Sequence, residues 1–274
     1  MKRLLITCLL ISIALPAARA QLPDDSVAAH LEKLFVRLVN SYQDSDRIMI
    51  NDSIHTIINS FVHSEEAFDY KLPGLNHLGQ ITSPDSLVKI ITWNIIMNNG
   101  EGKYYCYFIR KGPEEGKKDI YSLSADYSPL PVSSDTTYDA SNWYGALYYS
   151  ISPVHSEGKT YYMLLGINYG NPEVTRKMID VLDFRSDTTL TLGKKWFSTG
   201  NDMKYRIVLE YSATATVSLR FDTANSIVFD HLVPFSPSAG TNRQYYGPEY
   251  TYDAYVFDGY VWKLKINVDV RNKE

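Results

Sequence analysis

The chain reads as mainly β: an antiparallel meander that forms a twisted sandwich or a partly open barrel, preceded by two N-terminal helices. Three observations predict this. Apolar residues recur at helical spacing only in the region before about residue 63, and from about residue 78 the spacing changes to two. The segments with period two are rich in β-branched and aromatic residues, and short turn-forming clusters separate them. Such short connections fit antiparallel neighbours, because a parallel pair needs a crossover of a dozen or more residues.

Before the helices stands an apparent export leader. Met1-Lys2-Arg3 is cationic, Leu4 to Leu15 is apolar but too short to span a bilayer, and Pro16 breaks the run. Ala18-Arg19-Ala20 then supplies the small-x-small pattern of a cleavage site, so residues 1–20 are expected to be a signal peptide. Cleavage would remove Cys8 and leave Cys106 without an internal disulfide partner. No later apolar stretch has transmembrane length. The formal charge of −4 becomes more negative once Lys2, Arg3 and Arg19 are lost, giving no electrostatic reason to expect a nucleic-acid partner. A periplasmic or secreted location follows as an expectation.

The helical segment is expected over 21–75. With Ser26 as N-cap, Val27, Leu31, Leu34, Phe35, Leu38 and Val39 form one stripe, predicting a helix over about 26–42. Asp44 and Asp46 open a second helix, with Ile50, Ile54, Ile57, Ile58, Phe61 and Val62 on its apolar face. Pro73-Gly74 ends helical character.

The β region is expected over 76–274. Candidate strands are Leu87–Trp93, Tyr104–Ile109, Tyr144–Ile151, Thr160–Ile167, Met178–Phe184, Tyr205–Tyr211, Thr214–Phe221 and Ile227–Leu232. The clearest alternation puts Ala215, Val217, Leu219 and Phe221 inward, with Thr214, Thr216, Ser218 and Arg220 outward. Asp258-Gly259 separates Tyr252–Phe257 from Tyr260–Ile266 and predicts a hairpin closed by a type I′ turn. A small incomplete propeller is the alternative architecture, although no Trp-Asp or Gly-His signature recurs at blade spacing.

Familiar catalytic signatures are absent: there is no G-x-S-x-G, H-E-x-x-H, G-x-x-x-x-G-K, G-x-G-x-x-G or C-x-x-C. No cofactor or metal site is expected. Asp44-Ser45-Asp46 resembles the start of a calcium loop but lacks the glycine that follows in one. His55 and His63 are too far apart on a helix to clamp one metal, and Asp230 and His231, adjacent on a strand, point to opposite faces. Cys106 lies in Tyr104-Tyr105-Cys106-Tyr107-Phe108 and reads as a small buried hydrophobe rather than a nucleophile.

Tyrosine carries most of the chemical content. Doublets occur at 104–105, 148–149, 161–162 and 245–246, and on a strand each doublet sends one ring to each face. A tyrosine ring suits stacking on a sugar or contact with a protein, though it is also a good half-buried strand former. The candidate ligand-binding residues are Trp143 and Tyr144, together with Tyr246, Tyr250, Tyr252 and Asp253 in the ring-rich segment 245–253.

Several runs carry a resemblance: Asn142-Trp143-Tyr144-Gly145-Ala146-Leu147-Tyr148-Tyr149, Leu164-Leu165-Gly166, Arg176–Leu182, Val228–Leu232, Tyr246–Tyr255 and Asp269-Val270-Arg271-Asn272. Across about 78–272 the chain is similar to a family of exported proteins of Bacteroidetes-type bacteria. The resemblance implies a periplasmic or secreted setting and no assigned activity or functional residues.

The leading expectation is an exported, non-catalytic module that binds a glycan or an envelope protein. An envelope glycan hydrolase using Asp230, Glu249 or Asp253 is the rival. A structural component of an envelope complex is the third reading.

Overall fold

The computed structural model describes residues 24–270, apart from 113, 115, 129 and 201. The leader and its cleavage site, and Arg271 and Asn272, lie outside the described residues.

Two helices open the chain, α1 (Asp24–Val39) and α2 (Asp44–His63). Leu31, Leu34, Phe35 and Leu38 of α1 are buried, as are Ile50, Ile54, Ile58, Phe61 and Val62 of α2, while Val39 is exposed at the end of its stripe. The α1 helix begins two residues before Ser26. Asp44 begins α2 as expected, and its carboxylate accepts a hydrogen bond from the Asn98 backbone N–H at 2.9 Å, tying the helix start to a strand turn.

The strands follow in three sheets. The first is a meander of β1 (Gly79–Thr82), β2 (Val88–Ile96), β3 (Gly102–Lys111) and β4 (Lys118–Ala125). The second contains β5 (Leu147–Ser156), β6 (Lys159–Asn168), β7 (Val174–Phe184) and short β8 (Leu190–Leu192). The remaining strands are β9 (Phe197–Ser198), β10 (Met203–Lys204), β11 (Ile207–Ser212), β12 (Leu219–Thr223), β13 (Ser226–Pro234), β14 (Tyr246–Phe257) and β15 (Trp262–Lys265). Of these, β11 joins the second sheet beside β7, and the third sheet runs β10-β9-β15-β14-β13-β12. The architecture is the expected mainly antiparallel β stack preceded by helices, and no sheet closes into a barrel.

The elements form four layers with a core at each of the three interfaces. The helices pack on Ile91, Trp93, Ile95, Tyr107 and Ile109 of the first sheet. The opposite face of that sheet, with Val88, Ile90, Cys106 and Phe108, meets Tyr148, Tyr162, Leu164 and Met178 of the second. The far face of the second sheet, with Met163, Leu165, Ile179 and Val181, meets Phe197, Ile227, Tyr255 and Trp262 of the third. Each fully buried large side chain of this kind contributes roughly 1.5–3 kcal/mol.

Each of β2, β6 and β7 lies between two cores, so residues of both parities are buried along most of its length. This two-sided burial also decides the tyrosine doublets. Tyr148 is buried and Tyr149 exposed, as alternation expects, but Tyr161 and Tyr162 are both buried because each face of β6 meets a core.

Several expectations are corrected. Thr214–Ser218 does not join a ladder: Ala215 N–H turns back to Ser212 O, and Ser218 N–H donates to the Asp230 carboxylate at 2.7 Å. A side-chain acceptor thus replaces the backbone one, and the strand begins only at Leu219. The β14–β15 hairpin forms, but as a wider turn in which Asp258 Oδ1 accepts from Tyr260 and Val261 N–H, both at 2.9 Å. The two-residue loop with positive φ at both positions is Glu157-Gly158, between β5 and β6. One pairing, β15 with β9, is parallel.

Candidate functional site

The six residues singled out from the sequence do not converge. Trp143 and Tyr144 belong to the core between the first and second sheets. Trp143 is only 4% exposed, and its Nε1–H donates to Tyr148 Oη at 3.1 Å. Tyr144 Oη–H donates to Asp180 Oδ2 at 2.7 Å, and burial pushes its phenol well above the ordinary range, with the Asp180 charge adding to the rise. Neither ring is a surface platform. Both lie in a buried polar cluster around Asp180, which also accepts from Arg206 Nε at 2.9 Å. The remaining Arg206 donors reach Ser133 O, Thr136 O and Leu192 O, fixing the long segment before β5 onto the second sheet.

The other four lie on β14, where the ladder is irregular. Asp230 pairs with Tyr252, but Leu232 pairs with Pro248, so β14 carries extra residues opposite His231. A bulge of this kind bends a strand and re-aims its side chains. At the bulge Tyr250 is fully exposed, and together with half-buried Tyr252 it lines a shallow groove of about 340 Å³. Thr251, Asn267, Val268, Asp269 and Val270 complete that groove. Val268 N–H donates to Tyr252 O at 2.8 Å, holding the following segment beside β14. Tyr246 is more constrained: its hydroxyl donates to Gly240 O at 2.8 Å and the Arg243 guanidinium covers its ring at 4.3 Å.

Asp253 faces the other side of the sheet. It is paired in register with Phe229, and its Oδ2 lies 2.7 Å from His231 Nδ1, while Oδ1 accepts from Asn267 N–H at 3.2 Å. Sequence reasoning rejected Asp230 as the partner of His231 on sound grounds but could not see this cross-strand acid. The His231–Asp253 pair lines a cleft of about 270 Å³ with Val208, Leu209, Glu210, Phe229, Leu232 and Arg243. That lining contains no Ser, Thr or Cys that the histidine could activate.

The carboxylates named for a hydrolase are divided. Asp230 and Asp253 belong to register pairs on opposite faces of the third sheet, and Asp230 is engaged by Ser218 N–H. They cannot flank one glycosidic bond. Glu249 stands exposed on the bulge. Among the described residues no group of three or more His, Cys, Asp or Glu side chains could hold a metal ion. Cys106 is fully buried, and burial alone pushes its thiol well above the ordinary range, as expected for a core residue. No family model matches the chain, and neither does any curated protein sequence or any solved structure.

Proposed function

We propose that the protein is an exported, non-catalytic binding module whose ligand is a glycan held in the Tyr250–Tyr252 groove. The observation that carries this reading is the convergence of two tyrosine rings, one of them fully exposed, on a groove that also presents Thr251, Asn267 and Asp269. A sugar offers an apolar ring face to a tyrosine and hydroxyls to amide, hydroxyl and carboxylate groups. The leader, the acidic balance and the resemblance to exported proteins support an envelope setting.

The test is a glycan-array screen of the chain lacking residues 1–20, followed by titration calorimetry on the best hits. Tyr250→Ala is expected to weaken binding about 3- to 10-fold without lowering thermal stability, as a lost stacking contact should. Tyr252→Ala should act in the same direction. Unchanged affinity in both variants would remove the groove from the reading. A protein partner is the second reading, favoured by exposed Phe235 and Tyr245 side by side at the tip of the β13–β14 hairpin. Phe235→Ser with Tyr245→Ser should then clear specific bands from an envelope pull-down while leaving glycan binding intact.

A further inference from the structure

A separate pocket of about 350 Å³ lies at the end of the interface between the first and second sheets, under the segment that leads from β4 to β5. Its volume is at the lower end of ligand sites. Strands β6 and β7 build its floor: Asn168 and Arg176 are paired in register, on the face that carries Leu164 and Met178. Asn168 Nδ2 donates to the Tyr144 and Gly145 carbonyls at 3.3 and 2.8 Å, which holds the covering segment in place. Tyr104, Tyr127, Tyr138, Trp143 and Tyr144 line the pocket with rings. Four of them are anchored through their polar atoms: Tyr169 N–H donates to Tyr104 Oη and Ser133 N–H to Tyr138 Oη, while Trp143 and Tyr144 donate to Tyr148 and Asp180. The Tyr138 and Tyr144 rings meet at 79°, and Trp143 is inclined at 46° to Tyr144. Rings so inclined make a bowl and not a parallel-sided slot, which suits the C–H groups of a puckered sugar better than a flat heterocycle.

The chemistry of Arg176 narrows the ligand. Its side chain is only 10% exposed, and its Nε donates to Glu210 Oε1 at 2.7 Å, but Nη1 and Nη2 make no hydrogen bond among the described residues. Neither amine is sealed from solvent, and Nη1 stands 3.5 Å from where a Cβ on Gly170, another lining residue, would lie. Buried donors ordinarily have acceptors, so the guanidinium end marks the place of a ligand oxygen. Glu210 already matches the Arg176 charge, and Asp126, the other charged residue of the lining, takes Lys103 Nζ at 2.7 Å. An ionic ligand would therefore shed its water without meeting an unmatched charge. An uncharged carbonyl oxygen, with two lone pairs, can accept from both amines. We infer that the pocket binds one neutral N-acetylated sugar residue, its acetamido oxygen on the Arg176 amines and its ring and methyl C–H groups against the tyrosine and tryptophan rings. The site shares no lining residue with the Tyr250 groove, so the two stand or fall separately.

The experiment is saturation-transfer NMR of the leaderless chain with N-acetylglucosamine, N-acetylgalactosamine and N-acetylmannosamine, with glucose and glucuronate in parallel. At least one acetamido sugar should show transfer to its methyl protons, and titration should place glucose and glucuronate at least about 5-fold weaker. Tyr127→Ala, on the half-buried wall, should weaken that sugar about 3- to 10-fold. Arg176→Met is made together with Glu210→Gln, so that no unpaired buried charge remains. The folded double variant should lose about 10-fold or more, as expected when a charged donor is removed. Tyr250→Ala should change nothing. The inference is overturned by no transfer with any of the three acetamido sugars, by equal binding of glucose or glucuronate, by unaltered affinity in Tyr127→Ala or in the folded double variant, or by a loss in Tyr250→Ala.

Discussion

His231 Nδ1 lies 2.7 Å from Asp253 Oδ2 across the bulged β13–β14 ladder, beside the register shift at which Tyr250 stands exposed. The Asp253 side chain is almost fully buried and the His231 ring is one-third exposed, so the acid depends on its partners more than the ring does. His231→Ala removes one donor from a carboxylate that keeps Asn267 N–H. A loss of about 1–2 kcal/mol is expected in urea unfolding, the cost of an under-satisfied buried acceptor. Asp253→Ala orphans both donors and should cost more. If the two variants cost the same, Asn267 contributes nothing to the bulge.

A sharper ranking is expected at Asp180. Both side chains of the Arg206–Asp180 pair are inaccessible to solvent, and Asp180 also accepts from Tyr144 Oη–H and from Val181 N–H. Arg206→Met leaves a buried carboxylate without its countercharge and takes the guanidinium from the carbonyls of Ser133, Thr136 and Leu192, of which Leu192 O keeps the Tyr138 N–H. The expected loss is about 3–5 kcal/mol. Tyr144→Phe removes one neutral donor while the ion pair survives, so about 1 kcal/mol is expected. Chemical denaturation of both variants checks the order, and the reverse order would mean that Tyr144, not Arg206, anchors the cluster.

The parts of the fold that periodicity encodes were legible in the sequence. The two apolar helix stripes and the period-two segments from Val88 onward appear in the structure nearly where spacing places them. What periodicity cannot encode was missed. Strand β4 is short on apolar residues, and only Tyr121 and Leu123 carry its inward alternation. The reading of tyrosine as exterior chemistry failed at Trp143 and Tyr144, and the reason is physical. Both precede β5, outside the alternation of any strand, and the segment that carries them folds into the core between the first and second sheets, where buried polar atoms of aromatic rings find partners. Tyr162 Oη–H donates to Asp85 and Tyr121 Oη–H to Ser186 O, at 2.9 and 2.6 Å. Tyr250 was readable as an exposed ring, but the His231–Asp253 pair depends on a register shift that no local pattern announces.

Cys106 gives a direct test of the layered core. It sits opposite Thr92 in the β2–β3 ladder and faces the second sheet, with no route to solvent. Its thiol should resist iodoacetamide in the native state and react fully in 6 M guanidinium, as read by intact mass. Native alkylation on a timescale of minutes would show that the first and second sheets separate readily.

The last expectation concerns pH and Lys89, which is almost completely buried. Its Nζ donates to Ala67 O at 2.7 Å and to Tyr70 O, closing the carbonyls that follow α2, and stands 5.7 Å over the Phe61 ring. Burial is the main cause that pushes its pKa down to about 8, with Asp69 opposing and Lys71 and Lys118 reinforcing the fall. The unfolded chain holds this proton to near the ordinary lysine value of 10.5. Between about pH 8 and 10.5 the unfolded state therefore binds more protons than the folded state, and linkage makes stability rise with pH across that window. Below pH 8 both states are protonated and the burial cost is felt in full. Above pH 10 the buried tyrosines work in the opposite sense: Tyr104, pushed up to about 12 mainly by burial, stays neutral when folded and ionises when unfolded. Lys89→Met removes the ammonium and leaves the two carbonyls without it. That variant should be less stable than the wild type at pH 9.5, with a smaller deficit at pH 7. It should also lose most of the wild-type gain between pH 8 and 10. Urea unfolding at half-unit pH steps measures both, and a wild-type curve that falls steadily from pH 8 would place the Lys89 proton on the folded state instead.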